Sequence, residues 1–246
     1  MTEAWLTALE RRHVTNLTSS ELTRAVRALS SCYIERRGKL CQGAALDSAG
    51  KRVAFACFYG PLHFLTVTEI VGALRACHEP PETLLDLGCG TGVGGAAWAR
   101  ACGGRPKIVG VDRNPWAVAE ANWTYRELDV QGTARTGDLS MAPMPATPRS
   151  AVVMAYAVNE LDEATRSKML RALVDAVRGG TRALIVEAIA IRDKPWWPEW
   201  ARTLTAEGAR TDEWRFDVKV PDHLRERGRR ARLSVQQLTA RSIAKL

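Results

Sequence analysis

Three glycines and two carboxylates carry the chemistry of this 246-residue sequence. Asp86 stands two residues before Gly88, the glycines Gly88, Gly90 and Gly92 recur at every second position, and Asp112 follows Gly92 by twenty. An apolar run, Leu84 to Leu87, leads into the glycines; an alanine-rich stretch follows, and a second apolar run, Ile108 to Val111, ends on Asp112. Glycine lets the chain turn tightly and approach a ligand closely, while the next helix offers unpaired N–H groups. An acid at the end of the second strand is placed to accept both hydroxyls of a ribose. The spacing differs from G-x-G-x-x-G, where a pyrophosphate rests on the helix N-terminus. Asp86 would repel a pyrophosphate and suits an ammonium. The pattern therefore predicts a cofactor with a ribose, an amino-acid tail and no phosphate; a dinucleotide site or a remnant that no longer binds are the alternatives.

Leu84 to Gly94 resembles motif I of the class I S-adenosylmethionine-dependent methyltransferases, and Val109 to Asp112 resembles their motif II. The resemblance implies S-adenosylmethionine as cofactor. Asp86, Gly88, Cys89, Gly90 and Gly92 would surround its methionine end, Asp112 and Arg113 its ribose, and Asp138 and Leu139 its adenine, with Ala155 closing the set. The alternative for Asp138 is a turn aspartate, since Gly-Asp pairs are common in loops.

Acceptor residues must also come from strand ends, because ligands of open α/β sheets lie outside the carboxyl ends of the strands. Tyr156 and Asn159 follow the fourth strand, without the Asn-Pro-Pro-Tyr signature of many base-amino methyltransferases. Methyl transfer is an in-line displacement at an activated carbon, so positioning can supply about 7–11 kcal/mol without a dedicated base. His63 and Tyr59, in the segment before the glycines, are candidates to face the acceptor, or else packing residues. Trp196, Trp197 and Trp200 form either a stacking platform or the packing face of a short helix. Arg225, Arg227, Arg229 and Arg230 are read as the tip of a terminal hairpin that grips phosphates, or as a solvated loop.

The elements that must position these groups alternate. Strands are predicted at 83–87, 107–111, 132–136, 150–155 and 182–188, and helices at 93–102, 115–128 and 162–178, the last capped by Asp162. Two further strands, 213–218 and 231–238, with no helix between them, complete a doubly wound, seven-stranded, mostly parallel sheet. Residues 1–80 read as a helical N-terminal cap on a methyltransferase domain at 81–246. Helices are expected at 21–32 behind a Ser19–Ser20 cap, at 51–59, and at 62–77 after a break at Gly60–Pro61.

Composition is that of an ordinary globular protein, with 46% apolar and 25% charged residues. No stretch reads as a membrane span or signal peptide, which predicts a cytoplasmic protein with no membrane partner. Six cysteines without a C-x-x-C pair are expected to be buried free thiols, and no metal site is expected. The net charge of +8 sits at the ends, with +4 over residues 1–52, +5 over 221–246 and −1 between. Such a distribution suits a polyanion, although it also serves solubility.

Three segments narrow the reading: Ala25 to Tyr33, Ala54 to Phe64, and Ala155 to Leu161 with its Asn-Glu-Leu end. Together they resemble the ribosomal small-subunit methyltransferase-like family of bacteria and mitochondria. The resemblance implies a ribosomal connection, with ribosomal RNA or the small subunit as partner. The chain departs from the mitochondrial members, which carry a cysteine set for an iron–sulfur cluster, in having no cysteine after Cys102. The alternatives are a methyltransferase of a small molecule or peptide, and a non-catalytic ribosome-assembly factor that binds cofactor. An open basic groove at the strand ends would favour RNA; a closed aromatic pocket would favour a small acceptor.

Overall fold

A computed structural model describes residues 3–34, 43–189 and 195–246. Its strands are β1 (Thr83–Leu87), β2 (Lys107–Asp112), β3 (Gly132–Thr136), β4 (Ser150–Ala155), β5 (Arg182–Glu187), β6 (Arg210–Phe216) and β7 (Leu238–Lys245). They form one seven-stranded sheet in the order β3-β2-β1-β4-β5-β7-β6. The first five pair in parallel, and β7 runs antiparallel between β5 and β6. This is the doubly wound, Rossmann-like, mostly parallel sheet that the sequence predicts. Alternate residues serve opposite cores: Leu84, Ile108 and Val153 pack on one face, Leu85, Val111 and Val152 on the other. Each such fully buried aliphatic side chain contributes roughly 1.5–3 kcal/mol. Strand order reverses between β1 and β4, which opens a crevice at their carboxyl ends.

Helices α5 (Val93–Ala101), α6 (Pro115–Glu127), α7 (Glu163–Arg178) and α8 (Trp197–Ala206) join the strands, and α9 (Asp222–Ala231) precedes β7. Asp162 caps α7 as expected, accepting from the Thr165 N–H at 2.7 Å. The terminal hairpin is not formed as expected. Residues 222–231 are helical, and the last strand begins at Leu238, where 231–238 was expected to be strand. The apolar alternation of Leu233, Val235 and Leu238 outweighs that of the true strand, whose buried positions include Ala240, Ser242 and Ala244. In α9 only Leu224, Gly228 and Ala231 face inward, too sparse an apolar stripe to announce a helix.

Before the sheet come α1 (Glu3–His13), α2 (Ser19–Ile34), α3 (Ala49–Ala54), a π-helical turn at Phe55–Tyr59, and α4 (Gly60–Ala73). The N-terminal signal of α2 is a capping box on Thr18 rather than Ser19–Ser20. Glu21 Oε2 accepts from the Thr18 N–H at 2.8 Å, and Thr18 Oγ1 accepts from the Glu21 N–H at 3.2 Å. The break expected at Gly60–Pro61 is absent. Pro61 offers no N–H to the carbonyl four residues back, Cys57, and the chain widens into a π turn instead of stopping. Arg227 fills the vacancy by donating from Nη1 to Cys57 O at 3.0 Å. By length and composition the joined run Ala49–Ala73 could cross a membrane, but 67% of its apolar window is buried inside the protein.

The leader shares the core of the sheet. Trp5, Leu6, Leu9, Phe64, Val67 and Ile70 pack with Leu84, Trp98 and Ile108. Glu120 of α6 anchors α1, accepting from Arg12 Nε at 3.0 Å and contacting His13 Nε2 at 3.0 Å. Cys77 and Cys102 do not remain free thiols as expected. They form a disulfide, Cα–Cα 4.9 Å, between the segments that follow α4 and α5. Cys57 and Cys89 are buried free thiols, Cys32 is buried, and Cys41 lies outside the described residues.

Candidate active site

A cavity of about 490 Å³ opens at the carboxyl ends of β1 to β4, within the size of cofactor pockets. The glycine turn forms one wall. Gly88 adopts φ +68°, and a Cβ there would lie 2.6 Å from Ala157 Cβ. Gly90 adopts φ +52° against the Phe55 ring, which a Cβ would meet at 3.2 Å. Gly92 starts α5 and faces Tyr125 and Ala121, so it shapes the turn without lining the cavity.

Asp86 and Asp112 both line the cavity. Asp86 Oδ2 accepts from the Gly95 N–H at 2.8 Å, and the residue is 1% exposed. Burial raises its carboxyl to about 7; the Gly95 bond opposes this, and the nearby Asp112 adds to it. Asp112 accepts from the Gly90 N–H at 2.9 Å on Oδ2 and from the Asn114 N–H at 2.8 Å on Oδ1. Burial raises Asp112 as well, against those two bonds. Each Asp112 oxygen has further acceptor capacity for a ribose hydroxyl. Two carboxyls lining one cavity, Asp86 buried and Asp112 partly so, disfavour a pyrophosphate and suit a ligand with an ammonium and a neutral sugar. Cys89, Arg113, Leu139 and Ala155 also line it. Asp138 does so too, while its Oδ1 caps a short 3-10 turn by accepting from the Ser140 N–H at 2.8 Å.

The opposite wall comes from the leader. Tyr33 of α2, Phe55 of the π turn and His63 of α4 line the cavity with Tyr156. The His63 and Tyr156 rings stack, with centroids 3.7 Å apart and planes 12° apart. Tyr156 holds φ +59°, a left-handed conformation that costs a non-glycine residue about 1–3 kcal/mol and tends to persist at functional sites. Thr66, whose hydroxyl donates to Leu62 O at 2.8 Å, lies beside the Tyr156 phenol and opposes the effect of burial on its ionisation. Burial pulls His63 down to about 3, so the imidazole is neutral, and burial pushes the Tyr156 phenol upward.

Other expected residues lie elsewhere. Tyr59 packs edge-on against Tyr33 and Phe58 and does not line the cavity. Asn159 is spent on packing: its Nδ2 donates to Glu187 Oε2 at 3.0 Å and its Oδ1 accepts from Trp196 Nε1 at 2.9 Å. Trp196 and Trp200 are buried beneath α8, and Trp197 lies under the Arg241 guanidinium at 3.8 Å. The tryptophans thus serve as the packing face of a helix. The arginines sit on α9. Arg227 is engaged by Glu10 and Cys57 O, Arg225 by Asp222, and Arg229 and Arg230 by Glu226. Tyr33, Phe55 and Glu160 line the cavity without having been singled out. Phe55 owes its position to the π turn, which only the proline three residues past Phe58 hints at. Among the described residues, no His, Cys, Asp and Glu group is arranged to hold a metal.

Residues 84–180 match a family described as a methyltransferase domain. The chain carries a methyltransferase domain. Its fold is shared with solved structures at low identity. One, provisionally assigned as an O-methyltransferase, is from Nostoc punctiforme, with TM-score 0.56, 14% identity, and 90% of this chain and 72% of that one covered. Another is magnesium protoporphyrin IX methyltransferase from Synechocystis. With bound S-adenosylhomocysteine it gives TM-score 0.51 and 16% identity over 87% of this chain and 95% of that one. With bound S-adenosylmethionine it gives TM-score 0.50 and 16% identity over 93% and 98%. No curated protein matches the chain. Asp86, Gly88, Gly90 and Asp112 all lie within the matched segment and line the cavity.

Proposed function

We propose that this enzyme methylates a small planar acceptor that enters the aromatic end of the cavity. The observation that carries this reading is the stacked His63–Tyr156 pair, which joins Phe55 and Tyr33 in a wall supplied by the leader. Aromatic faces favour flat acceptors and exclude water from the transfer. S-adenosylmethionine supplies a methyl on a sulfonium, and the residues supply position: Asp86 holds the ammonium, Asp112 the ribose and Asp138 the adenine edge. His63, neutral and fixed by its stack on Tyr156, orients the acceptor by a hydrogen bond or by contact. Arg225, Arg227, Arg229 and Arg230 lie outside the cavity and have carboxylate partners, which weakens the case for a phosphate grip beside the methyl.

A second reading retains ribosomal RNA of the small subunit as substrate. It is favoured by the net charge of +8 and by the leader and Asn-Glu-Leu segments. One experiment separates the two: purified enzyme and methyl-labelled S-adenosylmethionine are incubated with a metabolite extract, naked RNA and 30S subunits. Label in the small-molecule fraction is expected. Label in RNA would replace this reading with the second. S-adenosylhomocysteine binding with label in none of the three would point to a cofactor-binding assembly factor.

A further inference from the structure

The carboxylates and glycines assigned to the cofactor all come from the sheet, but the leader lines the same cavity with Tyr33, Leu46, Phe55 and His63. Phe55 is set against the glycine turn itself. That turn has two flanks. On one, a Cβ added to Gly88 would lie 2.6 Å from Ala157 Cβ and 3.7 Å from Leu139 Cδ2. On the other, a Cβ added to Gly90 would lie 3.2 Å from Phe55 Cζ and 3.3 Å from its Cε1. The ring therefore rests on the Gly90 backbone, on the flank away from Leu139. The Gly90 N–H donates to Asp112 Oδ2 at 2.9 Å, which ties the residue under the ring to the carboxylate assigned to the ribose. Ala54, Ala56, Cys57 and Phe58 around it are buried, whereas Phe55 keeps part of its surface open and lines the cavity. An apolar ring left partly open in a buried segment still has area to remove from water. Two contacts hold it there. The Gly60 N–H donates to Phe55 O, the bond that closes the π turn, and the His63 ring meets Phe55 edge-on, with centroids 6.3 Å and planes 81° apart.

We propose that Phe55 is a cofactor-binding residue, which covers the part of S-adenosylmethionine that lies along the glycine turn. The inference rests on the cofactor reading above. It gives the aromatic wall two ends: Phe55 serves the cofactor, and the stacked His63 and Tyr156 serve the acceptor. Asp86 and Asp112 hold the ammonium and the ribose by polar bonds, and an apolar ring beside them keeps water from those bonds and strengthens them. The segment matched to the methyltransferase domain begins at residue 84, so the cofactor site is incomplete without a residue the leader supplies.

The test is titration calorimetry of S-adenosylhomocysteine into the purified full chain, Phe55→Ala and Phe55→Leu, at several temperatures where circular dichroism shows each protein folded. Phe55→Ala should weaken binding about tenfold, the scale of one lost aromatic contact. Its heat-capacity change on binding should also become less negative, because less apolar surface remains for the ligand to bury. Phe55→Leu keeps an apolar cover, so it should stay within about threefold of the unmodified protein and retain most of the heat-capacity change. Where Phe55→Ala does not fold, Phe55→Gln, which fills much of the space with a polar group, takes its place with the same expectations. Unchanged affinity in the Ala or Gln variant overturns the role of Phe55. Weakened affinity with an unaltered heat-capacity change overturns it too, since Phe55 would then support the glycine turn without touching the ligand. No binding of S-adenosylhomocysteine to the unmodified protein overturns the cofactor reading, and the role of Phe55 with it.

Discussion

Asp86 and Asp112 show how one residue type does two jobs through its surroundings. Asp112 keeps two backbone donors and is aimed at neutral hydroxyls, whereas Asp86 has one backbone donor and deeper burial. Asp112→Ala should weaken S-adenosylhomocysteine binding by about 10- to 100-fold, the equivalent of about 1.5–3 kcal/mol for hydrogen bonds to a charged acceptor. Calorimetry that finds unchanged affinity would remove Asp112 from the ribose site. Asp86 makes a separate prediction in pH. Its folded value of about 7 lies above the unfolded 3.8, so the free protein holds this proton more tightly than the unfolded chain. Its contribution to stability is present at low pH and lost as pH rises through about 7. An ammonium reverses that preference, because it requires the carboxylate. Affinity for S-adenosylhomocysteine should therefore rise between pH 5.5 and 7.5, and Asp86→Asn should flatten the profile. A profile that stays steep in the variant would assign the titration to another group.

The leader helices hold the aromatic wall, and α9 holds the leader. Arg227 completes two deficits at once: the carbonyl of Cys57, which Pro61 cannot serve, and the carboxylate of Glu10, which it meets at 2.6 Å. Its side chain is 15% exposed, so the pair with Glu10 is partly screened, and the abandoned carbonyl dominates the cost of losing it. Arg227→Ala should destabilise by about 2 kcal/mol, a fall of about 4–8 °C in melting temperature for a chain of this length. The triple variant Arg225→Ala, Arg229→Ala and Arg230→Ala should leave the melting temperature nearly unchanged, since those side chains are exposed and pair only along their own helix. If all four arginines bind phosphate, the triple variant will instead lose RNA affinity and Arg227→Ala will leave the fold intact. Scanning calorimetry and filter binding at two salt concentrations decide between these outcomes.

Across the molecule, what the sequence revealed depended on whether its signals were local. Strands β1 to β5 and the glycine turn were legible because apolar runs, turn glycines and caps such as Asp162 act within a few residues. The acids lining the cavity followed, since a strand end fixes where its last residue lies. Distant partners were not legible. Nothing near Asn159 announces that Trp196 and Glu187 will consume its amide, and nothing near Arg227 announces Glu10, more than two hundred residues away. Phe55 reached the cavity through a π turn whose cause, Pro61, reads equally well as a helix stop. The cysteines were the plainest case, because absence of a C-x-x-C pair says nothing about residues that helix packing brings together. Cys77 and Cys102 close a loop of 25 residues and tie the end of the leader to the helix that follows the glycine turn. In the chain-entropy account a loop of this length is worth about 3.5 kcal/mol. A reductant should therefore lower the melting temperature by about 7–14 °C for a chain of this length. The Cys77→Ser, Cys102→Ser double variant should melt at the lowered temperature and no longer respond to reductant. Mass spectrometry of the alkylated, unreduced protein checks the bridge itself: two blocked thiols at these positions are expected, and alkylation of both would show that the pair stays reduced and that the leader is held by packing alone.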